Sequence, residues 1–282
     1  MPIPNGFTPS ITVLSDQPAV FTPPDLTLTG LLGRFPGLAA AEAICLTGST
    51  AAGWANPFSD VDVYAFADTV PDLPVDDTME MWQTADRSGL TCQHWMGRYG
   101  DSRIDLKIWP TAAPRLALSP YLTDEEPEFF ESSETVKDFV YRASIALPLK
   151  GEEFFTTTSK LIASSSYQRA LGRLKKSVAE NRLTDVAGML QTGDWMSARL
   201  AALAAAESVA DCAMIMEGSL CHNPKWLLRR IQETPSSGLT VQDYRAEVLE
   251  GPRPDESEAE CALRIAHWVR RTIIAVERTV LG

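Results

Sequence analysis

Positive charge is scarce in this chain: 25 lysines and arginines face 37 aspartates and glutamates, giving a net charge of −12 and an isoelectric point near 4.8. A general nucleic-acid coat or an anionic-membrane binder needs a positive field to hold phosphates, so neither is expected. Histidine is rarer still. His94, His222 and His267 stand far apart without metal-ligand spacing, and they read as structural or surface residues. The five cysteines are odd in number, scattered and never in a C-x-x-C pair, which speaks against a disulfide framework or a zinc cluster and fits a reducing cytoplasm. Long apolar runs are also missing. The opening MPIPNGFTPS has no lysine, arginine or apolar stretch, so a secretory leader is not expected. Residues 200–216 are the most apolar later stretch, but Glu207 and Asp211 interrupt them and alanine dominates, which predicts a buried helix of a soluble protein and not a bilayer span. No internal repeat is found. With 45% hydrophobic and 22% charged residues in 282, the chain has globular composition.

The pattern divides the chain in two. Up to about residue 148, proline and glycine recur between short β-branched runs at 43–47, 61–67, 91–99 and 103–109, which predicts a small mixed sheet with helices. Gly100-Asp101-Ser102 between the last two runs predicts an antiparallel hairpin. From about Gly151 the apolar residues recur at threes and fours, as in Leu171, Leu174, Val178, Leu183, Val186 and Leu190. A helical bundle is expected there. Gly193-Asp194, His222-Asn223-Pro224 and Pro235-Ser236-Ser237-Gly238 break it, and Gly251-Pro252-Arg253-Pro254 precedes a last helix over about 256–280. The expected fold class is α+β, with domains at residues 1–148 and 149–282.

The chemistry concentrates in residues 46–66. An apolar strand runs into Gly48-Ser49, where a glycine lets a ligand approach the backbone and a serine hydroxyl can donate to a phosphate oxygen. Asn56-Pro57 makes a turn, and a strand follows in which Asp60 and Asp62 are expected on one face and Val61 and Val63 on the other. Two carboxylates 4 Å apart repel by roughly 4 kcal/mol at an effective dielectric near 20. A chain that sets them side by side usually supplies a cation, and Mg²⁺ is the hard, oxygen-seeking candidate. A third acid, Asp105, lies in an alternating strand whose Ile104, Leu106 and Ile108 face the core. If the two strands are neighbours, three carboxylates converge as a two-metal site requires.

The apolar-Gly-Ser turn, the Asp-x-Asp on a strand and the later strand acid together resemble the polymerase-β-like nucleotidyltransferase superfamily, and within it the bacterial small-substrate enzymes of the aminoglycoside-modifying type. The resemblance covers residues 44–109, and the helical half agrees in kind. It implies Gly48 and Ser49 on ATP or another nucleoside triphosphate, Asp60 and Asp62 on Mg²⁺, and Asp105 as a third carboxylate that ligates metal or takes a proton. Two Mg²⁺ ions and a small-molecule hydroxyl acceptor are implied partners, with nucleic acid and membrane not expected. Lys225, in a Lys-Trp pair opening a helix, is similar to a feature of the group's helical domains and is a candidate phosphate contact, with surface placement as its alternative. A toxin-like or regulatory enzyme acting on a protein or RNA, and a non-catalytic nucleotide-binding relic, stay open.

Other residues are more ambiguous. Arg169, Arg173 and Lys176 fall at helical spacing and read as a solvated face, with a triphosphate-facing stripe as the alternative. Trp54 and Phe58 flank the acidic loop, where packing against the bundle competes with stacking on a ligand ring. Lys107 reads as joining the solvent side or pairing with a local carboxylate, and it is assigned no role. Ser49 as a helix N-cap is compatible with phosphate binding.

Overall fold

The computed structural model describes residues 26–73, 79–86, 89–123 and 132–281. The opening segment considered for a leader lies outside them. Strands β1 (Ala43–Thr47), β2 (Val61–Phe66), β3 (Glu80–Ala85), β4 (Thr91–Tyr99), β5 (Ser102–Trp109) and β6 (Leu147–Lys150) form one mixed sheet in the order β3-β4-β5-β2-β1-β6. The α+β class is as expected, and the four foreseen runs are strands. β3 and β6 are additions at the two edges. The pair β2–β5 is parallel and every other neighbouring pair antiparallel. The β4–β5 hairpin turns at Gly100, whose φ of 58° suits a residue without Cβ.

Helices α1 (Leu28–Arg34), α2 (Gly48–Ala51), α3 (Ala113–Leu118) and α4 (Glu134–Ser144) accompany the sheet. Alternation decides its two faces. Val61, Val63 and Ala65 of β2 join Ile104, Leu106 and Ile108 of β5 in a core with Leu31, Phe35 and Leu38. On the opposite face Tyr64, Phe66 and Trp109 pack under Val136, Phe139 and Val140 of α4. The Ser133 hydroxyl starts α4 by accepting from Val136 N at 3.1 Å.

The C-terminal region is helical: α5 (Glu152–Ser164), α6 (Tyr167–Gln191), α7 (Trp195–Met216), α8 (Leu227–Glu233), α9 (Val241–Tyr244) and α10 (Glu258–Leu281). Alanines at 198, 201, 202, 205, 206, 210 and 213 let α7 approach its neighbours closely, and they are buried. Gly193 (φ 78°) and Asp194, which accepts from Ser197 N, separate α6 from α7 where the sequence predicts a break. The core under α4 continues into Tyr167 and Leu171 of α6, Ile215 of α7 and Leu220 and Cys221 in the segment after it. Sheet and helices are thus packed through shared side chains.

One charged cluster lies inside the helices. Asp211 on α7 and Arg230 on α8 are both buried and ion-paired, Arg230 also donates to Ser219, and Lys175 of α6 reaches Asp211 at 2.7 Å. The five cysteines are free and buried. Among the described residues no helix is long and apolar enough to cross a membrane.

Candidate active site

The parallel pairing sets Asp62 of β2 directly against Asp105 of β5. Both lie on the face opposite the Val61/Ile104 core, because each is flanked by residues whose side chains go the other way. On its other side Asp62 is paired with Thr47 at the end of β1. The convergence predicted for Asp62 and Asp105 is therefore present. Asp60 differs from the sequence reading in one respect: it precedes the first residue of β2 instead of lying in the strand. Its carboxylate stands 3.1 Å from Arg103 Nε, and its charge still reaches Asp105.

Around the acid pair the structure adds residues not anticipated in the sequence. Arg142 of α4 places Nη1 2.6 Å from Asp62 Oδ1 and donates from Nε to Asp138 Oδ1 at 2.8 Å. Lys107 donates to Asp138 Oδ2 at 3.2 Å and lies 4.0 Å from Asp105 Oδ2. The charges thus alternate along an open loop whose two ends are the paired acids: Asp62, Arg142, Asp138, Lys107, Asp105. Tyr64 donates to Asp138 at 3.3 Å, and the Thr47 hydroxyl, donating to Arg142 O at 2.7 Å, ties α4 to the end of β1. Lys107, assigned no role from the sequence, bridges two carboxylates.

This loop is electrostatically uneven. Burial raises the carboxyl of Asp62 above its ordinary range, with Arg142 opposing and Asp105 adding to the rise. Burial likewise raises Asp105, against the attraction of Lys107 and Arg142. Asp138 is partly buried, yet Arg142 and Lys107 outweigh the loss of solvent and hold it below the ordinary range. Asp138 is consequently the fixed counter-ion of the two cations. Asp105 keeps one buried oxygen, Oδ1, without a hydrogen-bond partner, whereas the buried Asp60 oxygen faces Arg103.

Gly48 closes the site on the β1 side. Its φ is 63°, and a Cβ there would fall on the Asp62 carboxylate and against the Arg142 guanidinium. The turn backbone therefore lies against the acid that the phosphate reading needs nearby. Ser49 follows within α2, whose N-cap is Thr47, so the capping alternative for Ser49 does not apply. Gly48→Ala is expected to cost about 1–3 kcal/mol from the left-handed conformation and to lower activity by displacing Asp62. Urea unfolding alongside steady-state rates checks this, and an unaltered midpoint would mean the turn relaxes freely.

Five residues beyond Ser49, Trp54 packs on Trp226 with ring centroids 5.5 Å apart, and its Nε1 donates to Glu233 of α8 at 2.8 Å. Trp54 is buried against the helical region, while Phe58 is exposed. Lys225 Nζ and the Arg229 guanidinium lie 5.1 and 5.2 Å from the Trp226 ring centre. Lys225 is thus brought to the side of the Gly48 turn through this contact, not into the acid pair. Lys176 pairs with Glu180 and Glu277, away from the acids.

Among the described residues no three histidine, cysteine, aspartate or glutamate side chains are grouped closely enough to hold a metal ion together. The donor chemistry nevertheless suits Mg²⁺: the in-register carboxylates Asp62 and Asp105, with Asp60 alongside, offer oxygen alone, and Asp105 Oδ1 is buried without a hydrogen-bond partner. Arg142 holds the Asp62 oxygen that faces it, so the pair is already charge-compensated from within the chain.

No family model and no curated protein matches the chain. Among solved structures it is similar to a nucleotidyltransferase-like protein from Exiguobacterium sibiricum 255-15, at 10% identity over 86% of this chain and 72% of that one, with a TM-score of 0.43.

Proposed function

We propose that the chain is a nucleotidyltransferase that moves a nucleoside monophosphate from a nucleoside triphosphate to a hydroxyl of a small-molecule acceptor, releasing pyrophosphate. The observation that carries this reading is the in-register pair Asp62–Asp105 with the Gly48 backbone packed against it. Gly48 and Ser49 receive the triphosphate, and Lys225 and Arg229 supply positive charge on the same side. Asp60, Asp62 and Asp105 would hold Mg²⁺, which when bound offsets the charge of the phosphates and makes a nearby hydroxyl more acidic.

Asp105 takes the acceptor proton. Burial already favours its protonated form, and Oδ1 has no competing hydrogen bond. The freed oxygen forms a bond to the α-phosphorus as the bond from that phosphorus to the pyrophosphate oxygen breaks. Arg142 and Lys107, fixed by Asp138, stand beside the reacting phosphoryl and stabilise the charge that accumulates there.

The first test is stabilisation by substrate. ATP, GTP, CTP or UTP with Mg²⁺ at a hundredfold excess over its dissociation constant should stabilise the fold by about 2.7 kcal/mol. A thermal shift with one of the four names the base, and release of labelled pyrophosphate with hydroxyl acceptors tests transfer. The internal compensation of each acid, by Arg142, Lys107 and Arg103, favours a second reading: a nucleotide-binding protein that no longer transfers. That reading predicts the thermal shift without pyrophosphate. No shift with any of the four overturns both.

A further inference from the structure

Across the sheet two parallel rows of side chains share the acid face. One runs Glu80, Met96, Asp105, Asp62, Thr47, and the next runs Trp82, His94, Lys107, Tyr64, Cys45. Beyond Lys107 the second row ends in two stacked rings. The indole of Trp82 and the imidazole of His94 lie 4.9 Å apart at an interplanar angle of 17°, and Trp82 remains 38% exposed. Thr84 Oγ1 lies 3.0 Å from His94 Nε2 and holds that ring in plane. Burial and the neighbouring Lys107 push the His94 pKa down to about 4, so its ring is neutral. Nothing in the Asp62–Asp105 chemistry uses this stack.

Its position is informative. In the order β3-β4-β5-β2-β1-β6 the Gly48 turn follows β1, on one side of the β2–β5 acid pair, and Trp82 and His94 stand on β3 and β4, on the other. Phosphoryl transfer sets the attacking and leaving oxygens roughly in line across the phosphorus. Pyrophosphate held at the Gly48 side therefore places the attacking hydroxyl over β5 and β4. From Asp105, Trp82 is two strands away and two residues along, about 12 Å at ~4.8 Å per strand and ~3.4 Å per residue, so an acceptor ring seated there would carry its hydroxyl on an arm or a second ring.

We infer that the Trp82–His94 face is the acceptor subsite, taking a neutral ring with a flat π or C–H face, the attacking hydroxyl standing on an arm or second ring that reaches Asp105. This rests on the transfer reading proposed above. Flat rings of that kind come from aromatic alcohols and from sugars, and both stack on indole through the same surface.

The test uses the full chain labelled with 5-fluorotryptophan, the Trp82 fluorine signal being identified by its loss in Trp82→Phe. 4-Hydroxybenzyl alcohol and methyl glucoside serve as the two ring probes, and heat denaturation with ATP, GTP, CTP or UTP and Mg²⁺ is measured on the same protein. A saturable movement of the Trp82 signal is expected with one probe, which also distinguishes the aromatic from the sugar source. Binding should weaken about fivefold in His94→Ala, the worth of one ring contact, and less in Thr84→Val, which keeps both rings. No saturable movement with either probe, in a protein that a triphosphate stabilises, overturns the subsite and leaves the transfer reading standing. Ring binding in a protein that no triphosphate stabilises overturns the acceptor assignment by removing the reading beneath it.

Discussion

Asp62→Asn is expected to lower transfer by about a thousandfold while leaving the fold intact, because the residue combines a central place in the site with a small structural contribution. The carboxylate lies between Thr47 and Asp105 in register, touches Arg142 and borders the Gly48 turn, so no other acid replaces it. Its effect on stability follows from the sign of its shift. The folded-state pKa is raised by burial, so the folded protein binds this proton more tightly than the unfolded chain and gains stability as pH falls through that value. At neutral pH the ionised group therefore opposes folding, and a neutral amide removes that cost. Arg142 still has Asp138. The melting temperature without nucleotide should stay level or rise. Asp105→Asn should behave differently: Asp60 and Asp62 still seat the metal–triphosphate complex, so most of the stabilisation by triphosphate and Mg²⁺ remains, while the rate falls about 10²–10⁴-fold and the acid limb of the pH profile is lost. Near-full activity of Asp62→Asn in saturating Mg²⁺ would remove Asp62 from the site.

The largest effect on stability is expected from Asp211→Ala, at about 3–5 kcal/mol. Asp211 and Arg230 are both buried, and removing the acid leaves a guanidinium without its counter-ion and Lys175 without its 2.7 Å partner. The remaining contacts of Arg230, to Ser219 Oγ and Ser219 O at 3.2 Å, carry no negative charge. The double variant Asp211→Leu with Arg230→Met removes both charges at similar volume and should recover most of the loss. Urea midpoints of the single and double variants decide the matter. A single variant within about 1 kcal/mol of the parent would mean that water reaches the pair. Arg230 stands on the helix whose Glu233 holds Trp54, so activity should fall with stability in the single variant and return in the double one.

Much of this site was legible in the sequence because alternation is a local signal. Val61 and Val63, and Ile104, Leu106 and Ile108, face the core, which leaves Asp62 and Asp105 on the other face whichever strands are neighbours. The turn at Gly48 and the breaks at Gly193 and Pro224 announced themselves through residue type. Arg142 and Asp138 did not. Four residues apart on α4, they look like any surface helix pair, and only the packing of Val136, Phe139 and Val140 against Tyr64 and Trp109 turns that pair toward the acids. A signal was present in retrospect: buried and charged residues interleave on α4 more closely than a solvated face requires. The missed edge strands have their own reasons. β6 has four residues and includes Pro148, and β3 is mostly exposed, so neither shows a clear period of two.

The parallel pairing of β2 with β5 also bears on how the protein acquires its site during folding. The β4–β5 hairpin turns within a few residues and can zip locally, whereas β2 can meet β5 only after the whole intervening segment, with β3 and β4, has closed into a loop. Asp62 and Asp105 are strangers in the unfolded chain and become neighbours only across a non-local strand pairing. Catalytic competence should accordingly return on refolding only after the β4–β5 hairpin has formed. A substitution that loosens the β2–β5 seam, such as Val63→Ala, could scatter the acids while the hairpin and the long helices stay formed.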